Sequence, residues 1–471
     1  MDELLTIGAA ELARRIRTRE ISPVEVVEAH IRRIEQVNPH INAVVVPLFD
    51  QAREQAQQAA NRVSGNGTDS LPPLFGVPVT IKDSFALAGA PYVIGSSYRR
   101  DVIADSDATA VRKLRDAGAI ILGKTNVPDM CWLGETVNPV FGRTRNPWNP
   151  HHTVGGSSGG EGAVIGAGGS PLGLGSDLAG SLRLPAAACG TVSLMPTAGR
   201  VSTDGHIPTP PEPIADWNRV GPLARRIEDL ALALEVLSET PVRNYRQIDL
   251  KERRVLVYIR NPLYPVTNTV ADTVAMAAGA LRSAGMEVVD HPRPPMLKTG
   301  FQFAGGLYSQ GAIHKTRREV GGGQMFDYLL EARAHLRRQG RISLEVLFFH
   351  ALIAAIGSVV NLFGFGKLEG LERSREAFLR AMTPDGVLLC PVFVTAPPRH
   401  GWTWRLPVSL PYTMMFNALG FPAVTVPVRW SRYGLPLAVQ VVAAPGEDET
   451  ALAVAAELER IFGGWRVADT L

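Results

Sequence analysis

Residues 75–83 read FGVPVTIKD and residues 108–125 read ATAVRKLRDAGAIILGKT. The apolar run Phe75–Ile81 reads as a strand, Ala108–Ala117 as a helix, and Ala119–Leu122 as a second short strand. Strand, helix and strand in close succession predict an α/β fold, a central mixed β-sheet covered by helices on both faces. The pattern resumes downstream with a helix at Leu230–Leu237, a strand at Arg254–Ile259, a helix at Asp272–Ala284 and a strand at Met286–Val289. Upstream, Glu11–Asn38 spaces its apolar residues as two amphipathic helices do, with Ser22 as an N-cap and Pro23 in the first turn.

A chain of 471 residues is long enough for about three domains. No Pro/Ser/Gly linker separates them and no 20–50-residue period repeats, so the expectation is a single domain over 1–471 with its core at about 72–200. A helical, apolar insertion is expected at about 296–370. Within it Val346–Gly366 carries no Asp, Glu, Lys or Arg across 21 residues. That is the length of a bilayer span. His350, Asn361 and three glycines argue instead for a buried helix pair, an oligomer contact or an apolar substrate mouth, and membrane contact is not expected.

Composition narrows the chemistry. A net charge of +3 from 48 basic and 45 acidic residues leaves no field suited to neutralising phosphates, so no nucleic-acid partner is expected. Cys131, Cys189 and Cys390 share no metal-ligand spacing, which argues against a disulfide framework, a zinc site and any metal cofactor. The N-terminal residues show no apolar secretory core, and a cytoplasmic location is the expectation.

Four motifs bear on function. Gly118–Thr125 fits the phosphate-loop pattern, but a helix precedes it and a strand fills it, the reverse of the context a phosphate loop needs. Gly156–Gly160 fits GxSxG, yet Pro150-His151-His152-Thr153 upstream is no core strand, so an α/β-hydrolase using Ser158 stays a minor alternative. Gly155–Gly162 is a Gly/Ser run able to crowd N–H groups and hydroxyls together, as anion-binding turns do. Gly175–Ala186 places Ser181 in a small-residue turn flanked by Asp177 and Arg183, a candidate buried ion pair. Lys82 ends the first strand, where desolvation would lower its pKa and let it act as a base.

These segments together resemble the amidase signature family. Gly76–Asp83, Gly123–Asn126, Phe141–Trp148, both Gly/Ser runs, Phe416–Ala423, Gly434–Pro436 and Gln440 follow the family's motifs in order, nearly end to end. The resemblance implies the amidase signature fold, with Lys82 as general base, Ser157 as a serine after a cis peptide bond, and Ser181 as nucleophile. It implies an oxyanion hole from the N–H groups of Leu178, Ala179, Gly180 and Ser181, with Ser158 orienting Lys82. Ala179 stands where the family has glycine, and Leu178 where it has Thr or Ile.

Leu184 follows Arg183 where amidotransferase subunits have a glutamine. With Met130, Trp132 and Leu133, it suggests a pocket for an apolar or aromatic acyl group. The reading is a cofactor-free amidase of small hydrophobic or aromatic amides, with carbamate and ester side activity and an acyl-enzyme on Ser181. The alternative is a glutaminase of the amidotransferase A type within a tRNA-modifying complex. A homodimer is compatible with either.

Overall fold

In a computed structural model, residues 2–64, 71–261, 265–290, 303, 305–307, 311–321, 326–337, 339–362, 369–382, 386–402 and 411–468 are described. The strands are β1 (Val44–Pro47), β2 (Pro78–Lys82), β3 (Ile120–Thr125), β4 (Val137–Asn138), β5 (Gly142–Arg143), β6 (Leu172–Asp177), β7 (Val192–Met195), β8 (Arg219–Ala224), β9 (Arg254–Val257), β10 (Glu287–Asp290), β11 (Gly386–Pro391), β12 (Ala423–Trp430) and β13 (Pro436–Ala443). β4 and β5 pair separately. The others form one mixed sheet in the order β1-β3-β2-β6-β8-β7-β12-β13-β11-β9-β10.

Most of the expected elements are present with shifted ends. The strand expected from Phe75 is β2 and begins at Pro78, because Gly76 takes φ 76° and the Val77 N–H closes a turn on the Leu74 carbonyl. Proline is tolerated at the first position of a strand, where its missing donor breaks no ladder bond. β3 runs on through Gly123, Lys124 and Thr125. These three residues of the phosphate-loop pattern are therefore core strand, and Lys124 lies fully buried against Asp83 at 2.7 Å. The helix Pro23–Ile41 carries the expected Ser22 cap, with Glu25 reaching back to the Ser22 N–H in a capping box. It buries Val27, Ile31, Ile34, Val37 and Ile41 along one face, each such side chain contributing about 1.5–3 kcal/mol.

Register determines where chemistry can occur. β2 runs parallel to both β3 and β6, and Lys82 lies opposite Thr125. The carboxyl ends of all three strands therefore meet at one sheet edge, the usual place for a site in such sheets. β6 delivers Ser176 and Asp177 there. β8, antiparallel to β6, begins there with Arg219 opposite Asp177.

The apolar run is one helix over Leu344–Leu362 and not a buried pair. Val346 and His350 are buried on its inner side, while Phe348, Leu352, Val359 and Leu362 are exposed. Residues 296–302, 304, 308–310, 322–325, 338 and 363–368 of the expected insertion lie outside the described residues. Among the described residues no helix is long and apolar enough to cross a membrane.

Candidate active site

Lys82, at the end of β2, has no exposed surface, and its Nζ lies 2.7 Å from Ser157 Oγ and 2.8 Å from Ser176 Oγ. Burial lowers its pKa from the usual lysine range, with Cys131, Asp177 and Glu161 pulling the other way. The Gly156–Ser157 peptide bond is cis. Ser158 N–H donates to the Ser181 carbonyl at 3.2 Å, which ties the two Gly/Ser runs together. Lys82, Ser157 and the Ser181 loop thus converge from 100 residues of chain onto one edge of the sheet.

The Gly/Ser run is less an anion cradle than a close-packing device. Gly160 is the second residue of a helix at Gly159–Gly166, and a Cβ on it would fall 2.4 Å from the Asn126 amide nitrogen. Ser158 has no exposed surface, and its hydroxyl donates to the Ser176 carbonyl at 3.2 Å. It therefore acts on Ser176, and Ser176 rather than Ser158 touches Lys82. This corrects the orienting role read from the resemblance, and such a seat leaves no path for Ser158 as an elbow nucleophile.

Asp177 organises the loop that follows β6. Arg183 Nε and Nη2 meet its two carboxylate oxygens at 3.0 Å each, both side chains being fully buried. Burial by itself would raise the Asp177 pKa, but the Arg183 charge and hydrogen bonds, with those of Leu182 N–H and Asn417, hold it at about 2. The same carboxylate accepts from the N–H of Gly180 at 2.6 Å and of Leu182 at 3.0 Å. Gly180 therefore leaves the expected oxyanion hole, because its N–H is directed at Asp177; the amides of Leu178, Ala179 and Ser181 remain. Glycine is required at 180, where φ is 126° and a Cβ would fall 2.7 Å from Thr413 Oγ1. Arg183 is held from its far side by Asn417 Oδ1 at 2.6 Å, Gln440 Oε1 at 3.2 Å and the Thr413 carbonyl at 2.9 Å.

The four pocket candidates divide. Met130 is fully enclosed in the core and presents no surface to a substrate, a correction to its reading as pocket lining. Leu184 is nearly buried, with its Cγ against Gly180. Trp132 and Leu133 are half-buried, and the Trp132 ring stands edge-on to His350 at 5.0 Å, with Phe349 at 6.2 Å. The apolar helix Leu344–Leu362 therefore packs over Trp132.

Four neighbouring side chains were not legible as part of this group. Ser176 and His206 share a hydrogen bond at 2.8 Å, and Asn218 Nδ2 lies 3.1 Å from His206 Nδ1. Burial, then Lys82, holds the His206 pKa well below the usual histidine range. Cys131 is the second of two successive left-handed residues, with φ 54° at Met130 and 60° at Cys131. Its thiol shares a hydrogen bond with Ser157, and burial pushes its pKa up to about 11, against the Lys82 charge and that hydrogen bond.

Glu161 sits below this group. Thr80 Oγ1 and Thr125 Oγ1, from β2 and β3, donate to its two oxygens at 2.6 and 2.7 Å. Burial raises its pKa to about 8, against those hydrogen bonds and Lys82. The folded chain therefore binds this proton more tightly than the unfolded chain does, and stability falls as pH rises from the ordinary glutamate value towards 8. Glu161→Gln has no such proton to lose. The expected outcome is that the melting temperature of the variant relative to the parent rises between pH 5 and pH 8; a gap independent of pH would refute the assignment.

The chain matches the family model described as Amidase over residues 25–452. It is 35% identical to fatty-acid amide hydrolase 2-A of Danio rerio, across 98% of this chain and 90% of the relative. It is 43% identical to indoleacetamide hydrolase of Bradyrhizobium diazoefficiens, over 50% of this chain and 45% of the relative. Among solved structures, 6-aminohexanoate cyclic dimer hydrolase with bound substrate superposes with a TM-score of 0.83 at 28% identity, covering 100% of both chains.

Proposed function

The chain belongs to the amidase signature family of amide hydrolases, and from that premise we propose that it cleaves small hydrophobic or aromatic amides through an acyl-enzyme on Ser181, with carbamates and esters as secondary substrates. The observation that carries this reading is the enclosed Lys82 amine 2.7 Å from the Ser157 hydroxyl, in a loop hydrogen-bonded to Ser181. As the Ser181 oxygen attacks the carbonyl carbon, its proton passes to Ser157 Oγ and the Ser157 proton passes to Lys82 Nζ. The carbonyl π electrons move onto oxygen, facing the amides of Leu178, Ala179 and Ser181. Collapse of that intermediate breaks the C–N bond, and the proton returns by the same route to the leaving nitrogen. Water then repeats the sequence on the ester and releases the acid.

Two features support an apolar acyl group. Leu184 abuts the Ser181 loop, and Trp132 lies under an apolar helix. The relatives named for fatty-acid amides and for indoleacetamide fit the same substrate class. Hydrophobic pockets reject poorly, which is the reason to expect carbamate and ester turnover beside amide turnover. The test is a hydrolysis panel of p-nitroacetanilide, a long-chain anilide, a nitrophenyl carbamate, a nitrophenyl ester and glutamine. The long-chain anilide is expected to give the highest kcat/KM. Turnover of glutamine alone would reject the hydrophobic reading in favour of an amidotransferase subunit.

A further inference from the structure

The turn that carries Ser181 is held by its carbonyls. In a trans peptide the C=O and the following N–H point in opposite directions. The Asp177 carbonyl accepts from Asn417 Nδ2 at 2.8 Å, which turns the Leu178 N–H the other way. The Gly180 carbonyl accepts from the Leu184 N–H at 2.7 Å, which turns the Ser181 N–H away in the same manner. Between them the Ala179–Gly180 peptide is gripped at both ends. The Thr413 hydroxyl donates to the Ala179 carbonyl at 2.6 Å, and the Gly180 N–H donates to Asp177 Oδ1 at 2.6 Å. We propose that Thr413 is a positioning residue of the reaction, whose hydroxyl anchors Ala179 so that the Ala179 N–H stays aimed at the developing oxyanion. This role rests on Ser181 being the nucleophile and on the amides of Leu178, Ala179 and Ser181 facing the carbonyl oxygen, as in the reaction above.

Ala179 offers its N–H to the substrate and its C=O to Thr413, and both hang from one Cα. Fixing the carbonyl therefore fixes the origin of the N–H. The anchor matters because the next residue is Gly180, at φ 126°, where the backbone has the most freedom to wander. Asp177 restrains the far end of the same peptide through the Gly180 N–H, but its carboxylate also serves the Leu182 N–H, Arg183 and Asn417. Oxyanion donors work at about 2.7–3.1 Å, and a site must hold its groups to within about 0.5 Å to keep that geometry. Loss of the Thr413 bond leaves the centre of the turn tied at one end only.

Thr413 is itself well placed to act as the anchor. It has no exposed surface and directly precedes the helix Met414–Leu419. Its carbonyl accepts from Arg183 Nη1 at 2.9 Å, so its backbone is fixed by the same guanidinium that pairs with Asp177. Its branched Cβ restricts rotation of the side chain, and its hydroxyl lies where a Cβ on Gly180 would fall 2.7 Å from it. Arg183 thus reaches the turn by two routes, through Asp177 on one face and through Thr413 on the other.

The test compares Thr413→Val and Thr413→Ser on whichever substrate the parent enzyme cleaves, with a trifluoromethyl ketone of the same acyl group as a second probe. The Ser181 oxygen adds to the ketone carbon, its proton leaves through Ser157 to Lys82, and the carbonyl oxygen becomes an oxyanion facing the same amides. Thr413→Val keeps the shape of the side chain and removes the donor. Its kcat is expected to fall about tenfold or more with KM within about twofold of the parent, and the inhibition constant of the ketone to rise by a similar factor. Thr413→Ser returns the donor and is expected to recover most of both. A Thr413→Val enzyme that melts earlier but keeps the parental kcat overturns the proposal. So does a loss carried by KM alone, a fall in kcat without matching loss of ketone affinity, or a Ser variant as impaired as the Val variant. If Thr413→Val does not fold, parental kcat in Thr413→Ala overturns it. Full turnover in Ser181→Ala would reject the acyl-enzyme reading instead, whatever the Thr413 variants do.

Discussion

Ser181→Ala lowers kcat/KM by roughly 10⁴-fold or more on every amide, carbamate and ester the parent enzyme cleaves, while the melting temperature stays within a degree or two of the parent value. The expected size follows from the role: without the oxygen no acyl-enzyme forms, and what is left is binding and the oxyanion amides. The expected stability follows from the seat. Ser181 is half-buried in a loop whose shape is held by other atoms, the Asp177 carboxylate on Gly180 and Leu182 and its own carbonyl on Ser158. Deleting one hydroxyl there removes none of those contacts. Steady-state assays beside circular dichroism and a thermal melt make the comparison, and turnover near the parent level would remove Ser181 from the reaction.

Arg183→Met has the largest expected effect on stability. It leaves Asp177 as an unpaired buried carboxylate and takes the guanidinium from Asn417, Gln440 and the Thr413 carbonyl. Breaking one side of a buried pair costs about 3–5 kcal/mol. Denaturant unfolding should show a midpoint lowered accordingly, with activity lost because the Ser181 loop is shaped around Asp177. The double variant Asp177→Leu with Arg183→Met removes the stranded charge and should recover part of the stability while activity stays absent. A single variant as stable as the parent would show that the pair does not hold the fold together.

The parts of this site that could be read in the sequence are those carried by short local patterns. Lys82 closes an apolar strand, Ser157 lies in a run of glycines, and Asp177, Ser181 and Arg183 lie within seven consecutive positions, so adjacency in the chain approximates adjacency in space. Ser176 was part of the same run, but nothing in the letters showed that its hydroxyl faces Lys82 instead of solvent. His206 and Asn218 had no local mark at all. His206 sits in a turn-rich segment between Gly205 and the Ile207–Pro208 cis bond, and it reaches Ser176 because a bridge to Phe85 pins that segment beside β2. The Gly180 amide was misread for a related reason. A small-residue turn shows that N–H groups are available, but which of them a neighbouring carboxylate captures depends on the three-dimensional course of the loop. Sheet order was likewise beyond the strand-and-helix pattern, which predicted a mixed sheet without showing that β2, β3 and β6 would end together.

Arg183 is gripped by partners 230, 234 and 257 positions further along the chain. A nascent polypeptide that has emerged only as far as the Gly/Ser runs already contains Lys82, Ser157 and Ser181, yet the clamp that shapes the Ser181 turn is still to be synthesised. Contacts so distant in sequence form late, after long loops have closed. Competence is thus withheld from partly made or truncated chains, and a cell carries little risk of an unfinished serine hydrolase acylating itself on whatever amide lies nearby.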